Sequence, residues 1–143
     1  MRRLAALLML LPGLAAAQAV TPRLVLEIPG RCTTPLRLGE SEVPCAPPGA
    51  VYSVLEDGRA FVFIPFGPRS AINFVGTRDH QASADSYTLT LDYVRVVTEG
   101  MAREWRVTGE CQARLSPTGA WTDLGCAART AEGALYAVRF TPR

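Results

Sequence analysis

Residues 103–127 read REWRVTGECQARLSPTGAWTDLGCA. Trp105, Val107, Gly109, Cys111, Ala113 and Leu115 fall on one parity, and Glu104, Arg106, Thr108, Glu110, Gln112 and Arg114 fall on the other. Successive side chains of a strand point to opposite faces, so this alternation predicts a strand with one buried and one wet face. Ser116-Pro117-Thr118-Gly119 supplies turn formers, and Trp121 to Ala127 predicts the returning strand. Cys111 and Cys126 lie symmetrically about Thr118. Facing residues of paired strands have Cα atoms about 4.5–5.5 Å apart, which a disulfide spans.

The other two cysteines repeat the arrangement. Cys32 and Cys45 are symmetric about Leu38-Gly39, with Leu36 to Leu38 and Glu42 to Pro44 flanking Gly39-Glu40-Ser41. The expectation is two β-hairpins, each stapled across neighbouring strands. The separations are 13 and 15, and His80 is the only histidine. Neither fits the close Cys and His spacings of a zinc site, so no metal and no cofactor is expected. Each loop of this length contributes about 3 kcal/mol when closed, in the chain-entropy model.

Outward from there the same period recurs. Leu24 to Ile28 predicts a strand stopped by Pro29-Gly30, and Pro47-Pro48-Gly49 breaks the chain again. Val51 to Leu55 and Phe61 to Ile64 enclose Glu56-Asp57-Gly58-Arg59, a strong hairpin signal. Ala71 to Val75 follows the Gly67-Pro68 turn, and Leu135 to Thr141 supplies the last strand. Tyr87 to Val97 alternates cleanly until Asp92, where a bulge would explain the change of pattern. Gly76 to Ser86 is polar and reads as a long loop; Ala127 to Gly133 reads as one helical turn. Short strands with regular turn signals predict an all-β, antiparallel sandwich or small barrel.

The N-terminus reads differently. Arg2 and Arg3 precede an apolar run, Leu4 to Leu11, and the small residues Ala15 to Ala19. That is the pattern of an export signal, expected to be cleaved after Ala17 or Ala19. Pro12-Gly13 interrupts the run, and a spanning helix needs about 20 apolar residues. Residues 1–19 are therefore read as signal and 20–143 as one all-β domain. The expected location is the periplasm or the extracellular medium, where thiols oxidise.

Removal of Arg2 and Arg3 leaves 13 basic residues against 13 acidic ones. A formally neutral chain lacks the electrostatic footprint of nucleic-acid binding. Every basic residue is arginine, with no cluster along the chain. A lipid-facing barrel would need an apolar exterior, which the charged alternate positions oppose.

No catalytic constellation is read from the chain. His80 neighbours Asp79, Ser83 and Asp85, but a nucleophilic triad needs convergence in space and oxyanion donors. Asp79 and Asp85 match no EF-hand spacing. Glu104 and Glu110 on one strand would stand roughly 20 Å apart by strand rise, beyond the separations of glycoside hydrolysis. Trp105 is expected in the core. Trp121, near a hairpin end, is a candidate contact, as are Arg69 and the loop residues Arg78, Asp79 and His80. Binding residues gather on loops held by a rigid scaffold. The expected function is an exported, non-enzymatic binding or accessory protein of the cell envelope, with an envelope or secreted protein as partner. An inhibitor of a secreted hydrolase such as lysozyme is one form of that reading. An enzyme acting on envelope polysaccharide or peptide is the rival.

Overall fold

The computed structural model describes residues 21–45 and 49–143. The expected signal segment and Pro47-Pro48 lie outside the described residues. The strands are β1 (Pro22–Cys32), β2 (Leu36–Leu38), β3 (Ser41–Val43), β4 (Gly49–Leu55), β5 (Ala60–Gly67) and β6 (Ser70–Gly76). They continue with β7 (Arg78–Ser83), β8 (Ser86–Thr98), β9 (Met101–Leu115), β10 (Trp121–Arg129) and β11 (Leu135–Pro142). All pairings are antiparallel, and the ladder β1-β4-β5-β6-β8-β9-β10-β11 closes back on β1. The all-β expectation therefore resolves to a closed eight-strand barrel. Two appendages complete it: the β2–β3 hairpin hangs on β11, and β7 pairs with the first half of β8.

The barrel is filled. An eight-strand barrel is just wide enough for side chains to pack its interior. Phe74, Phe140, Ile64, Ile72, Leu89 and Leu124 are fully buried there. The outward positions of β9 and β11 carry Arg106, Glu110, Arg114 and Arg139. An apolar inside and a charged outside is the reverse of a lipid-embedded barrel with a polar lumen. No helix of the described residues is long and apolar enough to cross a membrane.

Cys111 and Cys126 are directly opposed on β9 and β10, Cα to Cα 4.0 Å, and bonded inside the barrel. Cys32–Cys45 also forms as expected and staples the β2–β3 hairpin at its base. It ties the end of β1 to the chain beyond β3, and so fastens the base of the β2–β3 hairpin to the barrel wall.

Three expectations are corrected. β1 runs on through Pro29-Gly30, because these residues sit at the seam of the barrel. The carbonyl of Pro29 accepts from the Arg143 amide at 2.9 Å. Gly30 lies so close to β11 that a Cβ would collide with the Thr141 carbonyl and the Phe140 ring. Second, the expected 76–86 loop is largely strand β7. Gly76 passes the Thr90 carbonyl too closely for any Cβ, and there the chain leaves β6 to begin β7. β7 is polar because every residue in it is exposed, not because it is irregular. Third, the expected helical turn after Ala127 is strand to Arg129, followed by a tight turn closed by the Gly133 amide on the Thr130 carbonyl at 3.0 Å. The bulge near Asp92 is present as a register shift between Leu91 and Tyr93.

Candidate functional site

Two places on the barrel gather chemistry. The first is the mouth at the end where β8 and β10 begin. Tyr52 shares its face with the inward residues Ala50 and Val54 of β4. Tyr87 begins the inward series of β8, and Trp121 opens β10. Their rings meet in a triangle, with centroids 5.3 Å apart for Tyr52–Tyr87 and Tyr52–Trp121, and 5.8 Å for Tyr87–Trp121. Tyr52 is buried; Tyr87 and Trp121 are half-buried against the core. The two phenol oxygens are hydrogen-bonded to each other. Asp79, opposite Leu89 on β7, accepts from Tyr87 Oη at 3.2 Å and from Tyr52 Oη at 3.4 Å.

Burial raises the pKa of both phenols above the ordinary tyrosine value. For Tyr87 the hydrogen bond with Tyr52 and the negative charge of Asp79 raise it further. For Tyr52 the bond to Tyr87 works the other way without cancelling the burial. With two hydrogens for three contacts, one neutral phenol donates to the other and the second donates to the carboxylate, a plug that holds three strands together.

The second place is the outer face of β9, β10, β11 and the attached hairpin. Register lines up two rows across it. One runs Glu42, Arg37, Ala137, Ala127, Glu110. The next runs Arg139, Gly125, Gln112. Gly125, Ala127 and Ala137 bring almost no side chain to the outer face, so the sheet there forms the floor of a trough of about 970 Å³. Charged residues form its walls. Arg37 pairs with Glu42 at 2.5 Å and Arg139 with Asp123 at 3.2 Å. Arg114 makes no ion pair among the described residues. No aromatic residue lines the trough.

The expected site residues separate. Asp79 and Trp121 converge at the mouth through the two tyrosines. Arg78 and His80 face the other way, opposite Thr90 and Thr88. They extend the two rows of the trough, two strand spacings (about 10 Å) beyond Glu110 and Gln112. Arg69 sits at the far end of the barrel, where its carbonyl accepts from the Gly100 amide at 3.1 Å. Trp105 is only half-buried, stacked on Tyr136 with centroids 5.3 Å apart. The trough itself was not legible as a site. Its walls read as ordinary surface charges, and its one signal was the run of small residues at outward positions of two adjacent strands.

Chemically, the trough offers paired charges rather than a reacting centre. Glu110 and Asp123 are on one face, but Glu110 stands opposite Ala127. Four residues of strand rise then separate them, about 13 Å, more than the spacing used in glycoside hydrolysis. No group of three metal-ligating side chains occurs among the described residues. Comparison with family models, curated proteins and solved structures finds no match.

Proposed function

We propose that the chain is an exported, non-enzymatic binding protein of the cell envelope, in the periplasm or outside the cell, and that the trough takes an extended segment of a protein partner. The observation that carries this reading is the trough: a floor of Gly125, Ala127 and Ala137 between walls of both charges. A floor of glycine and alanine lets a partner backbone approach closely. Arginines beside carboxylates suit the alternating charges of a polypeptide, and the lack of an aromatic wall argues against a sugar chain. Two disulfides accord with an oxidising compartment, as does the signal-like N-terminus. An inhibitor of a secreted hydrolase such as lysozyme is the same reading with an enzyme as partner.

Ala127→Trp tests it. The position is exposed, so the indole fills the trough without entering the core. The expected result is loss of capture of the partner from envelope extract with an unchanged melting temperature. Capture at wild-type level would show that the partner does not bind in the trough. Adding the wild-type protein to a lysozyme assay separates the inhibitor form of the reading. A turnover of envelope polysaccharide or peptide that disappears in Glu110→Gln would favour the enzyme instead.

A further inference from the structure

β1 has one paired edge and one open edge. On the β4 side it is laddered without a break from Leu24 to Pro29, with a register shift at Arg23 before the Pro22–Leu55 pair. On the other side β11 reaches only Gly30, Arg31 and Cys32, with the Arg143 amide donating to the Pro29 carbonyl at 2.9 Å. Backbone groups alternate along a strand, so Glu27 and Val25 turn their N–H and C=O to the same side as Pro29. The carbonyl of Leu24 faces the other way, toward β4, where it accepts from Ser53 Oγ at 2.9 Å. Among the described residues no strand pairs with the open side of this stretch. Its side chains are uncovered too: Leu24 is 48% exposed, Val25 55% and Leu26 36%. An open edge carrying large apolar side chains is a template for another strand.

The sequence there is complementary to itself. In Arg23-Leu24-Val25-Leu26-Glu27, reversal about Val25 puts Leu24 opposite Leu26 and Arg23 beside Glu27. We propose that two copies of this chain pair antiparallel through this edge, about a two-fold axis at Val25. The interface is isologous, as in most soluble homodimers. Each Val25 exchanges both backbone bonds with its counterpart, and each Glu27 meets the Arg23 of the other copy. The leucines of both copies cover one another over the mouth. Pro29 has no N–H to offer on the open side and the register shift at Arg23 ends the regular ladder at the other end, so the pairing is confined between them. The edge lies outside the trough, so this inference does not rest on the binding function.

Sedimentation equilibrium of the purified protein across a concentration series is the test. A monomer–dimer equilibrium is expected. Val25→Pro, which removes a donor facing the open side and none facing β4, is expected to give a monomer with unchanged far-UV circular dichroism. Glu27→Arg alone and Arg23→Glu alone are each expected to weaken dimerisation by about tenfold, since each sets two like-charge pairs across the axis. The double variant is expected to restore it. All four cysteines are in disulfides, so Val25→Cys adds the sole free thiol and is expected to cross-link to itself on mild oxidation. A wild-type monomer at every concentration overturns the proposal. So does a dimer indifferent to both single charge reversals. If Val25→Pro does not fold, the charge-swap set decides.

Discussion

Tyr87 is the residue on which the mouth depends. Its ring packs on Tyr52 and Trp121, and its hydroxyl joins Tyr52 to Asp79. Tyr87→Phe keeps the ring and removes the link, which is expected to cost about 1 kcal/mol in urea unfolding. The pH dependence has a definite sign. A phenol whose folded pKa is raised contributes stability that is whole below the unfolded value, about 10, and is lost as pH rises through the folded one. Stability is therefore expected to fall from about pH 10 upward, with phenolate absorbance near 295 nm lagging behind free tyrosine and then rising with unfolding. In Tyr87→Phe that lag is expected to shrink. An absorbance rise in step with free tyrosine would show that these rings are not buried together. At this scale the sequence was informative in part. Asp79 and Trp121 stood out as polar or aromatic outliers, but Tyr52 and Tyr87 read as ordinary strand residues. Their meeting depends on barrel closure, which no local pattern encodes.

The elements differ in how far local pattern determined them. β8, β9 and β10 are long and half-buried, so their alternation was plain outside the bulge at Asp92 and the β9–β10 hairpin legible, including the Cys111–Cys126 pair. β7 was not legible. It is exposed on both faces, so polar residues occupy every position but Ala82 and the period of two disappears. The Pro29-Gly30 signal misled for a different reason. Breaker residues mark close backbone approach as well as strand ends, and here they mark the seam. The two disulfides also divide by element. Cys111 and Cys126 are buried within the barrel, while Cys32 and Cys45 are only half-buried at the foot of the hairpin. Reductant without denaturant is expected to open Cys32–Cys45 first, with Cys111–Cys126 surviving until the barrel unfolds. Peptide mapping after timed alkylation checks this. Labelling of both pairs at one rate would contradict the placement. Because that hairpin carries Arg37 and Glu42, selective reduction is also expected to loosen one wall of the trough.

For the whole molecule, topology decides where function can reside. A barrel closed by eight strands is packed at its centre with phenylalanine, leucine and isoleucine, so a partner meets its ends and its outer surface. Charge is spread evenly enough that the sequence indicated no favoured side. Folding breaks that evenness, because β10 and β11 turn their small residues outward side by side while the β2–β3 hairpin rises next to them. The trough is thus a product of which strands become neighbours, and sequence separation hides it. Site-specific photo-crosslinking in the native envelope tests this most directly, with the crosslinker placed at Ala127 on the trough floor and, as control, at Asn73 on the outward side of β6. A discrete protein adduct is expected from Ala127 and none from Asn73. Identical adducts from both positions, or none from either, would contradict binding in the trough.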